Sequence, residues 1–326
     1  MLVDSFGRKH DYLRISLTDQ CNFRCLYCMP KENMEFLPNA NLMQADEIFK
    51  IAQIFVEQGI NKIRLTGGEP LLRKDFAQIL QQLSKLPVSL TLTSNGYLIE
   101  KYLPQLIEAG VKSINLSIDS LQPQNFKHIT QRNGFDKVWN AIDLLLKAKF
   151  HVKLNVVVMK DNNLHEILDF VKLSIHQKLH VRFIEFMPFT GNAWEQAQVV
   201  THAEIIDLVR TKYTITKLVD EKHETAKKYQ ITGAKGTFAI ISTMSEPFCE
   251  DCNRLRLTAD GKIKNCLFSA EETHLLKNLR EGKQILPVIQ QSVWQKKARM
   301  GDQFPENYKD TVSAKIENRS MISIGG

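Results

Sequence analysis

Short apolar runs recur along the first two thirds of the chain, and longer stretches with apolar residues three and four apart lie between them. The runs predict strands over 13–18, 62–66, 89–93, 113–118, 152–159 and 181–186. Helical spacing predicts a helix over 45–58, where Ile48, Ile51, Ala52 and Phe55 share a face and Gly59 supplies the stop. A second helix, over 75–86, carries Phe76, Ile79, Leu80 and Leu83, with Asp75 as its N-cap. Two more follow over 135–150 (Val138, Trp139, Ile142, Leu145, Leu146) and 164–175 (Ile167, Leu168, Val171). Such alternation predicts a parallel sheet with right-handed crossovers. Six units can curl into part of a TIM-like barrel or form an open doubly wound sheet. Both put functional groups at the C-terminal ends of the strands.

After Pro188 the pattern loosens into a loop over 189–200, a short helix over 203–210, strand-like runs near 213–219 and 238–242, and a mixed tail. The expected fold is therefore α/β: a partial (β/α)6 TIM-like barrel over 1–220 with a smaller C-terminal α+β region over 221–326. No internal repeat or low-complexity segment interrupts it.

Composition changes this picture little. Of 326 residues, 43% are hydrophobic and 24% charged, the balance of an ordinary soluble globular protein. No apolar run is long enough to span a membrane, and the opening MLVDSFGRKHDYLRI lacks the apolar core of a secretory signal, so the expected compartment is the cytoplasm. The net charge of +7 points to an anionic partner. The basic residues are scattered, and the pairs Lys227-Lys228 and Lys296-Lys297 read as solvated faces. Nothing resembles the aromatic or finger signatures of nucleic-acid modules.

The cysteines change the picture most. All six fall into two triplets: Cys21, Cys25 and Cys28, then Cys249, Cys252 and Cys266. In a reducing compartment such clustering argues for metal or redox chemistry rather than disulfides. The first triplet, C-x3-C-x2-C, follows the first predicted strand, and Thr66-Gly67-Gly68-Glu69-Pro70 ends the second, so both lie on one functional edge. Three thiolates from a tight loop can grip three irons of a [4Fe–4S] cube and leave the fourth open to a small molecule. A zinc site lacking a near fourth ligand, or unrelated buried thiols, remain alternatives. The second triplet, C-x2-C-x13-C, reads either as a zinc knuckle completed by His223 or His274, or as a second cluster with an open iron. Arg254 and Arg256 follow it, and strand alternation puts both on one face, where guanidinium groups suit phosphate or a polar base edge.

The first triplet, with Tyr27 before its last cysteine, resembles the radical S-adenosylmethionine superfamily signature, and the GGEP turn resembles that family's second hallmark. The order and spacing of LRISLTDQCNFRCLYCMP, KIRLTGGEPLLR, TSNG, INLSID, KLNVVV, RFIEFMPF, FCEDCNRLRLT, DGKIKNCLF and the final Gly325-Gly326 resemble, within that superfamily, the GTP 3′,8-cyclase family. Gln20 departs from the family pattern, which has arginine before the first cysteine. The resemblance implies a lyase of molybdenum cofactor biosynthesis that uses two [4Fe–4S] clusters and S-adenosylmethionine. It implies that Cys21, Cys25 and Cys28 hold the first cluster and that Cys249, Cys252 and Cys266 hold the second. Tyr27, Gly68, Ser117 and Met187, with Asn155, would contact S-adenosylmethionine. Arg14, Arg64, Thr93, Lys153, Arg254, Leu255 and Arg256 would bind GTP. Arg182 would line the same cavity, and Gly325 and Gly326 would reach into it, with Arg14 as the expected contact. The implied partners are GTP as substrate, an electron-donor protein and the next enzyme of the pathway, with no nucleic acid and no membrane, for a monomer or homodimer. A peptide-modifying radical enzyme and a zinc protein that binds nucleic acid are the rival readings.

Overall fold

The structure, a computed structural model, describes residues 1–29 and 35–325. A two-stranded hairpin, β1 (Leu2–Val3) with β2 (Lys9–His10), precedes the main sheet. Six parallel strands then follow in sequence order: β3 (Tyr12–Ser16), β4 (Lys62–Thr66), β5 (Ser89–Ser94), β6 (Ser113–Ser117), β7 (His151–Val158) and β8 (His180–Glu185). These are the six strands predicted from the apolar runs, with ends that differ by one or two residues.

The C-terminal third supplies β9 (Ile215–Lys217), β10 (Lys227–Ile231), β11 (Thr237–Ile241), β12 (Arg254–Leu257), β13 (Lys262–Lys264) and β14 (Thr273–His274). They extend the same sheet, β11 pairing parallel with β8 at one edge and β12 pairing parallel with β3 at the other. The result is one twelve-stranded sheet whose centre is the partial barrel, left open rather than closed.

The period of two sorts the faces. Leu13, Ile15, Ile63, Leu65, Leu154 and Phe183 turn to the helices and form the apolar core. The alternate positions, among them Arg14, Lys153, Asn155 and Arg182, turn to the other face. Helices α1 (Ala45–Glu57), α2 (Phe76–Leu83), α3 (Ile99–Glu108), α4 (Pro123–Thr130), α5 (Phe135–Lys147), α6 (Lys160–Asn163) and α7 (Ile167–His176) alternate with the strands.

Three expectations need correction. Asp75 precedes α2 but makes no capping bond, because Arg73 takes its carboxylate at 2.7 and 2.9 Å. Helix α3 was not signalled by the pattern: Pro104 lies inside it, and burial of Ile99, Tyr102 and Leu106 outweighs that local penalty. Lys296 is no solvated face, for only 2% of it is exposed.

Candidate functional site

The first cysteine loop runs from the C-terminal end of β3 and is held by the neighbouring turn. Gly68 N–H donates to Thr18 C=O at 2.7 Å, and Glu69 N–H donates to Gln20 C=O at 2.8 Å. A Cβ on Gly67 or Gly68 would strike the backbone of Thr18, Asp19 or Gln20, so the chain's own packing requires the glycine pair. Beyond it, the Cys28 and Met29 N–H groups both donate to Cys25 C=O, a helical turn that sets Cys25 and Cys28 one turn apart. Phe23, edge-on to Tyr97 and Phe126, pins the loop to the core.

Carboxylates surround this triad. Glu69 is fully buried and accepts from Ser94 Oγ, Asn95 N and Leu71 N, and burial pushes its carboxyl up to about 7. Asp119 accepts from Tyr27 Oη at 2.9 Å and Val157 N at 2.8 Å, and burial raises it to about 6. Burial, followed by Glu69, pushes the Cys21 thiol up to about 11. Burial with Asp119 and the neighbouring cysteines lifts Cys25 and Cys28 well above an ordinary thiol.

The second triad has different neighbours. Burial would raise the Cys252 thiol, but Arg254 and Lys296 overcome it and bring the thiol down to about 6. Cys249 is raised, by burial first. Lys296 Nζ lies 3.3 Å from Cys252 Sγ, and Met300 N–H lies 3.4 Å from Cys249 Sγ.

Both triads line one cavity. Between them, Arg256 on β12, Arg14 on β3 and Arg64 on β4 stand in register across three adjacent strands, with Arg254, Tyr12 and Lys62 one row below. Like charges in cross-strand register repel. Burial and the neighbouring cations pull Arg182 and Arg256 down to about 9 and Lys153 down to about 8. Among the described residues no carboxylate pairs with Arg14, Lys62, Arg64, Lys153, Arg182, Arg254 or Arg256. Burial would raise the Tyr12 phenol, but Arg64 and Arg14 pull it down to about 6. Arg14 Nε is buried with no hydrogen-bond partner among the described residues. Such an assembly calls for a polyanion.

Of the expected S-adenosylmethionine contacts, Tyr27, Gly68, Ser117, Asn155 and Met187 all line the cavity. So do Arg14, Thr93, Arg182, Arg254 and Arg256 of the expected anion-binding set. Arg64 lies just behind Thr93, bonded to Tyr12 Oη and, at 3.4 Å, to Thr93 Oγ1. Lys153 shares that basic surrounding. Leu255 is 0% exposed in the apolar core, so its side chain faces away from the cavity. The Gly325 carbonyl accepts from Arg256, where Arg14 was the expected contact, and Gly325 packs on Ser16 and Thr66. Gly326 lies outside the described residues. The tail is moored by Arg319, which binds Asp260 and Glu272, and by Asn318, which donates to Leu267 C=O.

Sequence reasoning missed Tyr12, Lys62, Glu69 as a carboxylate, Asp119 and Lys296. Lys62 and Tyr12 were findable, since each sits two residues before a chosen arginine on its strand. Asp119 and Lys296 come together with the cysteines only through folding.

Each cysteine triad could supply three thiolates to an iron–sulfur cube. All six cysteines are free thiols. Among the described residues no three His, Cys, Asp or Glu side chains converge closely enough to hold one metal ion. Thiolates that each bind a different corner of a cube stand farther apart than ligands of one zinc. Neither His223 nor His274 lines the cavity that the second triad faces.

Comparison with known proteins agrees with this donor chemistry. Residues 15–174 match the Radical SAM superfamily model, and residues 179–301 match the model Molybdenum Cofactor Synthesis C. The chain is 45% identical over its whole length to the mitochondrial GTP 3′,8-cyclase of Arabidopsis thaliana, covering 84% of that protein. It is 38% identical to the GTP 3′,8-cyclase of Listeria welshimeri, covering 99% of it. It is 44% identical to molybdenum cofactor biosynthesis protein 1 of Homo sapiens but spans only 51% of that longer protein. Among solved structures, Streptococcus suis SuiB bound to S-adenosylmethionine superposes with a TM-score of 0.60 at 16% identity, covering 96% of this chain and 73% of that one. That likeness concerns the fold alone.

Proposed function

This chain belongs to the GTP 3′,8-cyclase family of the radical S-adenosylmethionine superfamily, and from that premise we propose that it closes GTP into 3′,8-cyclo-7,8-dihydro-GTP, the first step of molybdenum cofactor biosynthesis. It is an enzyme that uses S-adenosylmethionine and iron–sulfur chemistry. The observation that carries the detailed reading is the cavity in which two cysteine triads face Arg14, Arg182, Arg254 and Arg256, none of them paired with a carboxylate among the described residues.

In this reading Cys21, Cys25 and Cys28 hold a first [4Fe–4S] cluster, and Cys249, Cys252 and Cys266 hold a second. When bound, the first cluster and S-adenosylmethionine would supply a 5′-deoxyadenosyl radical to take the C3′ hydrogen of the ribose. Closure of C3′ onto C8 would then take up one electron from the donor protein and one proton to give the 7,8-dihydro product. The protein's share is orientation and shielding. Tyr27, fixed by Asp119, and the Gly67–Gly68 backbone, fixed against residues 18–20, form the S-adenosylmethionine side. Ser117, Asn155 and Met187 complete that wall. Arg14, Lys62, Arg64, Lys153 and Arg182 receive the triphosphate, whose charge relieves their mutual repulsion. Arg254 and Arg256 present paired donors beside the second triad, where the base is held. Holding both halves of one nucleotide removes much of the entropy cost of ring closure. The Gly325 carbonyl, bound by Arg256, carries the tail to the same wall.

Cysteines that hold oxygen-sensitive clusters suit a reducing compartment, and the cytoplasm is the proposed one. Among the described residues no helix is long and apolar enough to cross a membrane. An electron-donor protein and the pathway's next enzyme are the proposed partners, with the chain acting as monomer or homodimer.

The test is anaerobic reconstitution followed by incubation with GTP, S-adenosylmethionine and dithionite. The expected result is roughly eight irons per chain with matching sulfide, with 5′-deoxyadenosine and a cyclised nucleotide formed together. Cleavage of S-adenosylmethionine that leaves GTP untouched would refute the substrate. Zinc in place of iron would refute the whole reading.

A further inference from the structure

Lys296 follows the helix Leu286–Trp294 and is 2% exposed. Its Nζ donates to Cys252 Sγ at 3.3 Å and to Arg254 C=O at 3.0 Å, and among the described residues no carboxylate pairs with it. A buried ammonium without a carboxylate is expensive, and the acceptors that compensate here are a backbone carbonyl and a sulfur.

The segment that carries it is held rigidly. Arg8 donates through Nη1 to Ala298 C=O and to Cys249 C=O, both at 2.9 Å, and through Nη2 to Lys297 C=O at 2.8 Å. Its Nε is held by Asp4 at 2.6 Å, and Asp4 also meets His10 Nε2 at 3.1 Å. One guanidinium thus joins the second cysteine loop to residues 297–298. The same strap brings Met300 N–H to 3.4 Å from Cys249 Sγ. Two donors, one of them charged, are therefore aimed at two sulfurs of the second triad. Around the first triad, Asn95 Nδ2, at 3.8 Å from Cys21 Sγ, is a neutral donor; the carboxylates Glu69 and Asp119 raise its thiols, and the nearby cation Arg24 donates to the Cys21 carbonyl rather than to a sulfur.

We propose that Lys296 is a positioning residue for electron uptake: its ammonium, held against Cys252 Sγ by the Arg8-clamped strap, stabilises the reduced second cluster and raises that cluster's reduction potential. The inference rests on the reading that Cys249, Cys252 and Cys266 carry a cluster. Reduction adds one electron and one negative charge to the cube, and hydrogen bonds to its sulfurs and nearby positive charge favour that state. At this depth the charge is little screened.

The experiment uses the full chain with Cys21, Cys25 and Cys28 replaced by serine, so that only the second site can load. The reduced cluster is followed by electron paramagnetic resonance during a mediated dithionite titration. In Lys296→Met the ratio of reduced to oxidised cluster at a fixed poise should fall about tenfold, a midpoint about 59 mV lower for one electron. Lys296→Arg should recover most of the shift. An unchanged midpoint in Lys296→Met overturns the proposal. Should that variant lose its iron, Lys296→Gln is read the same way. Iron lost in both neutral variants but kept in Lys296→Arg supports the charged contact, and iron lost in all three overturns it. A serine-substituted parent that binds no iron with native Lys296 refutes the second cluster itself, which is a separate failure.

Discussion

The two cysteine triads share a cavity but not an electrostatic setting. The first lies among Glu69, Asp119 and Tyr27, with Arg24 beside Cys21, and burial with the carboxylates pushes its thiols upward. The second lies beside Arg254, Lys296 and the Arg8 clamp, and its Cys252 thiol is pulled down to about 6. An acidic surrounding disfavours added electrons, so a cluster there becomes a strong donor once reduced. A basic surrounding favours an anionic ligand and a negative cluster. In the proposed reading, one triad gives an electron to a bound cofactor while the other holds a polyanion still, which separates making the radical from steering it.

The sharpest way to break this division is to remove one thiolate from each side. Cys25→Ser should reduce 5′-deoxyadenosine formation below detection. Cys252→Ser should leave that formation measurable while abolishing the cyclised product. Equal loss of both products in both variants would erase the distinction.

The cationic wall comes next. Arg256→Ala removes a charged donor facing the substrate and the contact to Gly325, and kcat/KM for GTP should fall about 100-fold. Cofactor cleavage should persist in this variant, uncoupled from product. Chromatography of both products checks the split. Removing Gly325 and Gly326 keeps the arginine but loses its partner, and turnover should fall about tenfold, roughly the worth of one charge-assisted hydrogen bond. Unchanged turnover would show the tail to be a passive cover.

A smaller effect is expected from pH. Burial and the charges of Arg182, Arg64 and Lys62 bring Lys153 down to about 8. Below that value the free enzyme carries the ammonium and gains a contact to the triphosphate. Above it the charge is lost, so KM for GTP should rise as pH passes about 8. Lys153→Arg, which stays protonated, should flatten the rise. A KM profile identical in the two proteins would remove Lys153 from the binding set.

The sequence made the strands and the cysteine edge legible because both depend on local pattern. Alternation in KIRLT puts Arg64 opposite the core residues Ile63 and Leu65, and C-x3-C-x2-C directly after a strand places three thiols on the strand's C-terminal end. Arg254 and Arg256 were readable for the same reason. Register was not. Nothing local says that β12 returns to pair with β3, so the row Arg256, Arg14, Arg64 appears only in the folded sheet. Lys296 looked like half of a solvated pair because its acceptor, Cys252, is 44 residues away. Asp119 closes INLSID in a way typical of a strand-end turn, and only folding brings it to Tyr27. Helix α3 was hidden by Pro104, whose local cost tertiary packing overrides.

The central claim is that the second triad holds a cluster facing the nucleotide while the first faces S-adenosylmethionine. Its most direct test is the electron paramagnetic resonance spectrum of the reduced chain with Cys21, Cys25 and Cys28 replaced by serine. GTP should shift the remaining cluster's signal and S-adenosylmethionine should leave it unchanged. A signal that ignores GTP, or that answers only to S-adenosylmethionine, would contradict this assignment.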